Sequence, residues 1–346
     1  MAQPAYVRCR DMFGTANLRH GDPATRTVFD AIYTPFRRDE RWGVFEASRD
    51  TVEACIDYRE PHYHLMYQKP IYPDSAINVP LAPEDRYIYG GRFNPHYGHY
   101  LVESIPRLWR IAREGLAGRK ILMHGEGDPT GWLQLDHVRT TWEGLGLTQD
   151  DFAHFDYPVR IRELTVPLPS LQQQTFAHPV FGELCRKIGQ SVLGTLAERP
   201  INTTPVYLSK TRLGSGVNVV VGEDVVEQRL AAEGFDIIHP QELSLREQIA
   251  LFDERSVILG TAGSAFHTSV FSSRPSRQIA ISPINSVNSN YVLFDKLSYT
   301  ETEQYYQIGT HDIGGNEHFL TRRKLADPIV AAENLIRITR DGPQED

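Results

Sequence analysis

From Val206 to Ser282 short apolar runs alternate with helical stretches, and no other feature constrains the fold as tightly. "VYLSK" (Val206–Lys210), "DIIHP" (Asp236–Pro240), "SVILG" (Ser256–Gly260) and "RQIAIS" (Arg277–Ser282) read as strands. Between them, "EDVVEQRLAAEGF" (Glu223–Phe235) carries Val226, Leu230 and Ala231 on one helical face. "SLREQIALFDER" (Ser244–Arg255) opens with a capping box, Ser244 followed three residues on by Glu247. "SAFHTSVFS" (Ser264–Ser272) reads as a short helix. Strands this short and apolar, separated by helices, imply a parallel, doubly wound α/β sheet.

The preceding part is less regular. The first 90 residues hold many Pro, Tyr, His and Arg with only short apolar pieces. "YIYGG" (Tyr87–Gly91) reads as a strand ending in glycines. From about Tyr100 to Glu114, Leu101, Ile105, Leu108 and Ile111 fall at helical spacing. "KILMHG" (Lys120–Gly125) is a buried-strand candidate, "WLQLDHVRTTWEGLGL" (Trp132–Leu147) a helix and "IRELTVPLP" a strand running into a loop. "FGELCRKIGQSVLGTLAE" (Phe181–Glu198) reads as a long helix, and "RPINTTP" (Arg199–Pro205) breaks both periods as a linker would. Two α/β lobes are therefore expected, 1–199 and 200–325. A last helix, "DPIVAAENLIRITR" (Asp327–Arg340), has Pro328 in its favoured first turn. Two-lobed α/β proteins usually take their ligand in the crevice between lobes, at the carboxyl ends of the strands.

Composition excludes several classes. With 40% hydrophobic and 23% charged residues, the chain has the balance of a soluble globular protein. A net charge of −8 without a long basic run argues against nucleic acid as partner. No segment approaches the roughly 18 apolar residues that cross a bilayer. The opening "MAQPAYVRCRDMFG" lacks the apolar core of a signal peptide. Cys9, Cys55 and Cys185 are too scattered for a disulfide framework or a zinc site. A cytoplasmic setting is expected, with peripheral membrane association and a homo-oligomer left open.

Three constellations could carry chemistry. In "VILGTAGSAFHTSVF" a strand ends at Gly260 and a helix begins after the small turn Thr261–Ser264. Free N–H groups at Gly263 and Ser264 would suit a phosphate, with His267 one turn on. The plain alternative is a tight βα turn and a structural His. In "VYLSKTRLGSG", Lys210 and Arg212 follow a strand and could meet a diphosphate, or be solvated loop charges. In "GRFNPHYGHYLVESIPRLWRI", His99 and Glu103 are four apart on one helical face, with His96 in the preceding loop. They form either an acid/base pair or an ordinary helix start. A metal site is poorly supported: there is no H-E-x-x-H, Glu126 and Asp128 are a weak substitute for Asp-x-Asp, and His62 and His64 merely alternate as on a strand. Neither a P-loop nor a G-x-S-x-G elbow occurs.

Taken together, these stretches resemble glycosyltransferase family 61. "NPHYGHYLVESIPRLW" (Asn94–Trp109) is similar to its N-Y-x-H-[FW]-x-x-[ED]-x-[LI]-P-R-L pattern, "VYLSKTR" to its Y-[IL]-S-R strand. The stretch from Gly222 to Phe271 resembles its C-terminal signature ending in G-x-x-G-A-x-L-x-N. This chain departs from the pattern at Lys210, where Arg is usual, and in Thr261-Ala262-Gly263-Ser264-Ala265-Phe266-His267-Thr268. The resemblance implies an inverting enzyme with two Rossmann-like lobes in the GT-B arrangement. It would transfer a hexosyl or pentosyl group from a nucleotide sugar to a glycan acceptor, with no metal or other cofactor required. Bacterial members are often described as capsular polysaccharide biosynthesis proteins. The C-terminal lobe would bind the donor through Lys210, Arg212, Glu242, Gln248, Gly263, Ser264 and His267. The N-terminal lobe would present Asn94, His96 and Tyr97 to the acceptor, with His99 and Glu103 as base and orienter in either order. The terminal helix, within 326–346, would pack back onto the first lobe. A hydrolysing epimerase of the same architecture and a non-catalytic nucleotide- or glycan-binding relative are the alternatives.

Overall fold

The computed structural model describes residues 5–38, 40–59, 72–73, 79–194, 199–213, 218–315 and 321–341. His62 and His64 lie outside the described residues. The chain is a mixed α/β protein with several sheets and divides into two compact units, Gly14–Val192, and Met1–Phe13 with Leu193–Asp346. The first strand, β1 (Tyr6–Arg8), thus belongs to the unit made mainly by the C-terminal half.

In the unit 14–192 the main sheet contains β2 (Thr25–Thr34), β3 (Gly43–Phe45), β4 (Arg86–Arg92), β5 (Lys120–His124), β6 (Phe152–Ala153) and β7 (Val159–Pro167). Their spatial order is β3-β2-β7-β4-β5-β6. The four strands from β7 to β6 are parallel, and β2 and β3 add antiparallel pairs. Numbered along the chain, the parallel strands lie 3-2-1-4, so the strand order reverses between β4 and β7. Val28, Tyr33, Tyr87, Tyr89, Leu122, Ile161 and Leu164 pack one buried cluster on this sheet.

The stretch from Tyr97 is not the single helix that its periodicity predicts. An α-turn, Tyr97–His99, passes into a π-helical turn, Tyr100–Ser104, where the Ile105 N–H reaches back to Tyr100 O at 3.2 Å. Pro106 has no N–H to continue the ladder, and regular helix resumes only in α1 (Trp109–Glu114). Such π turns are frequent at functional sites. The helix expected over Phe181–Glu198 is α2 (Pro179–Leu193), with 195–198 outside the described residues.

The second unit follows its alternation closely. Strands β8 (Val206–Leu208), β9 (Asp236–Ile238), β10 (Val257–Thr261), β11 (Arg277–Ser282) and β12 (Thr302–Gln307) are parallel and lie in the chain-numbered order 2-1-3-4-5, with β1 antiparallel at the edge. Alternate residues face opposite ways. Tyr207, Leu259, Ile279 and Ile281 pack under α3 (Glu223–Ala232), and Val206, Leu208, Ile258 and Ala280 under α4 (Leu245–Glu254), the 3₁₀ segment Ser264–Phe271 and α5 (Ser289–Ser298). The terminal helix α6 (Pro328–Asp341) follows β12 and two further strands. Its buried face, Ala331, Ala332, Leu335, Ile336 and Ile338, joins the α3 side of this unit's own core.

Candidate active site

Both candidate clusters sit where their sheet's strand order reverses, at the carboxyl ends of the strands. In the first unit, β4 ends in Arg92 and the chain turns through Asn94 into the π turn that carries Glu103. Glu103 is buried and accepts from four donors. The Arg92 guanidinium pairs with Oε2, which also accepts from Asn94 Nδ2 at 3.0 Å. Oε1 accepts from His99 Nδ1 at 2.6 Å and from Gln173 Nε2 at 3.0 Å. Burial by itself would raise the carboxyl's pKa. The His99 hydrogen bond and the Arg92 charge outweigh it, and the net shift is downward. Glu103 is therefore a carboxylate whose acceptor capacity is taken up inside the protein.

His99 is the opposite case. Its Nδ1–H is committed to Glu103, which leaves the Nε2 lone pair as the basic site, and its side chain is 44% exposed. His96 lies edge-on to His99 with ring centroids 5.4 Å apart, and its pKa is lowered, first by burial and then by His99. Tyr97 packs edge-on to His137 at 5.6 Å. Asn94, expected on the acceptor side, makes hydrogen bonds within the cluster. Besides binding Glu103, it accepts from the His96 N–H through Oδ1 at 3.1 Å and donates its own N–H to Ser104 Oγ at 2.8 Å.

Arg92 and Gln173 were not singled out from sequence. Arg92 stands at the end of a recognisable strand beside Asn94, so its place was readable though its partner was not. Gln173, in a run of three glutamines, carries no signal at all.

In the second unit, β8 has β9 on one side and β10 on the other, and the loop after it reaches both. Lys210 extends over the end of β10 and donates from Nζ to Ala262 O at 2.6 Å. A Cβ on Gly263 would stand 2.7 Å from that Nζ, so any larger residue there would push the end of the lysine aside. Arg212 turns the other way and donates from Nη1 to both carboxylate oxygens of Glu242, at 3.1 and 3.2 Å, past the end of β9. Below the loop lies buried Glu223. Its Oε1 accepts from Tyr207 Oη at 2.8 Å and Thr261 Oγ1 at 3.3 Å, and burial raises its pKa.

Burial also lowers the Lys210 amine to about 8, offset in part by the Glu223 charge. The unfolded chain holds this proton up to about pH 10.5 and the folded chain only to about 8. Stability contributed at this position therefore rises with pH between those values. Denaturation of the wild type and Lys210→Met across this range should show the wild type gaining on the variant. A constant difference would place the amine in water.

Two further residues expected to bind the donor have partners inside the unit. His267 is buried, stacked on Phe294 with centroids 4.3 Å apart, and desolvation lowers it to about 4. A neutral core imidazole supplies no cation for a phosphate. Gln248 donates to Pro240 O at 3.0 Å and Leu243 O at 3.2 Å, and so braces the turn that presents Glu242. Ser264 begins the 3₁₀ segment beside Gly263, as the turn pattern predicts.

The histidine–carboxylate dyad lies in one compact unit and the cation-bearing βα turn in the other. The model of the family Glycosyltransferase 61 matches residues 97–279, more than half of the chain, and the chain belongs to that family. The match takes in His99, Glu103, Lys210, Arg212 and Gly263. No curated protein matches the chain. Among the described residues, no helix is long and apolar enough to cross a membrane.

Proposed function

We propose that this glycosyltransferase inverts configuration, with the two Rossmann-like lobes of the GT-B type. The unit 14–192 serves the glycan acceptor and the unit made by 1–13 and 193–346 the nucleotide sugar. The observation that carries this reading is the saturated state of Glu103. A carboxylate with four donors has little basicity to offer, so His99 Nε2 is the base and Glu103 its orienter. The acceptor hydroxyl oxygen bonds to the anomeric carbon as the bond from that carbon to the diphosphate oxygen breaks. The hydroxyl proton passes to His99, and Glu103 stabilises the imidazolium that forms. Lys210, Arg212 and the N–H groups of the Gly263–Ser264 turn take the charge of the departing diphosphate. In this reading the chemical step needs no metal.

A thermal-shift panel of nucleotides and nucleotide sugars tests the donor half, since a ligand bound to the native state must raise its melting temperature. NMR of the product's anomeric configuration tests inversion, and a retained configuration rejects it. Product formed without any acceptor would favour the epimerase reading.

A further inference from the structure

The end of β9 carries a second feature. A cavity of about 460 Å³ opens there, lined by Arg212, Glu227, Ile237, Ile238, His239 and Glu242 among others. Its chemistry is mixed. Ile237 and Ile238 offer an apolar wall, and His239, 8% exposed, has an Nδ1 without a hydrogen-bond partner among the described residues. At the rim stands the Arg212–Glu242 pair. Both side chains are more than half exposed, at 62% and 51%, so the pair is weak and its opening costs little. Glu242 follows the second strand of a 2-1-3-4-5 sheet, and an acidic residue beyond a sheet's second strand is well placed for the hydroxyls of a ribose.

The loop after β8 joins this cavity to the anion turn. Lys210 lies over Ala262 on one side, and two residues later Arg212 reaches Glu242 on the other. A nucleoside diphosphate laid along this loop has its phosphates at Lys210 and Gly263 and its nucleoside in the cavity. This placement rests on the nucleotide-sugar reading above and adds a switch to it. We infer that Arg212 and Glu242 exchange partners when the donor binds: Arg212 moves to the diphosphate, and the freed Glu242 carboxylate accepts from the ribose hydroxyls. Without donor, each side chain neutralises the other, and neither charge is left unpaired beside an empty cavity. The pair thereby links the diphosphate and the ribose, though by no more than the small cost of opening it. A ligand with only one of them opens the pair without repaying both charges.

Calorimetry with UDP, CDP, GDP and ADP, followed by the 2′-deoxy form of the tightest binder, tests this. A hydrogen bond to a carboxylate makes the ribose form bind about tenfold more tightly in the wild type. Glu242→Ala should bind both forms alike. Arg212→Ala should keep the preference for ribose and lose affinity for the diphosphate, with a smaller loss for the monophosphate. Glu242 is half exposed, so its loss does not threaten the fold. Equal binding of ribose and deoxyribose forms by the wild type, or a preference that survives Glu242→Ala, overturns the exchange and leaves the nucleotide-sugar reading standing. Failure of all four diphosphates to bind overturns both.

Discussion

His99→Ala is expected to lower glycosyl transfer about 10²–10⁴-fold, the usual contribution of a positioned general base. The melting temperature should fall only modestly: buried Glu103 loses one of its four donors, but the side chain is 44% exposed and water can take its place. Nucleotide affinity should also hold, because the residues proposed to bind the donor belong to the other unit. Glu103→Gln separates the two members of the dyad. It removes the charge that fixes the His99 tautomer, and it leaves the buried Arg92 guanidinium without a counter-charge. That variant should lose both activity and stability, the stability by about 3–5 kcal/mol, as when one partner of a buried pair is removed. Steady-state kinetics beside thermal melts separates these effects. Full activity in His99→Ala would end its role as base, and an undisturbed melt in Glu103→Gln would contradict the ion pair.

Arg107→Lys should destabilise the protein by about 3–5 kcal/mol although it keeps the charge. Arg107 is 1% exposed and spends all five N–H groups. Nε and Nη2 donate to Asp57 Oδ1 at 3.2 and 2.7 Å, Nη1 to Ala54 O at 2.8 Å and Pro167 O at 2.7 Å, and Nη2 also to Ile56 O at 3.3 Å. One guanidinium thus ties the residues after β3, the end of β7 and the restart at α1 together, behind the π turn that aims Glu103. Three ammonium protons at the end of a straight stem cannot replace that planar fork. Gly91 has φ +89°, and a Cβ there would stand 3.1 Å from Arg107 Cδ, so the strand end is shaped around the same side chain. Urea unfolding measures the cost, and a loss below about 1 kcal/mol would refute the clamp.

How far the chain could be read from its sequence depends on how local each feature is. The strands and helices from Val206 to Ser282 were legible because each is a run of adjacent residues with one period. The capping box at Ser244 and Glu247 is local in the same sense, and both of its hydrogen bonds form. The His99–Glu103 contact was legible because four residues of helical winding bring the two together even through a π turn. Strand β2 was not legible. Its first residues, Thr25, Arg26 and Thr27, are polar and mostly exposed, and Asp30 takes a left-handed φ of 52°, so apolar and polar residues do not alternate along it. The interruption at Pro106 was masked by apolar residues that kept helical spacing on both sides.

The sequence by itself determined the class of the fold, the family and the places where ionisable residues gather. Only the tertiary structure decided what state those residues are in. The surroundings of Glu103 were open until Gln173 and Arg92 arrived from distant parts of the chain to fill its acceptor positions. His267 could be a ligand until Phe294 and Tyr291 enclosed it. Lys210 and Arg212, two apart in one loop, were interchangeable until one met Ala262 and the other Glu242. Protonation and reactivity are set by burial and by partners, and both come from contacts that no spacing along the chain encodes.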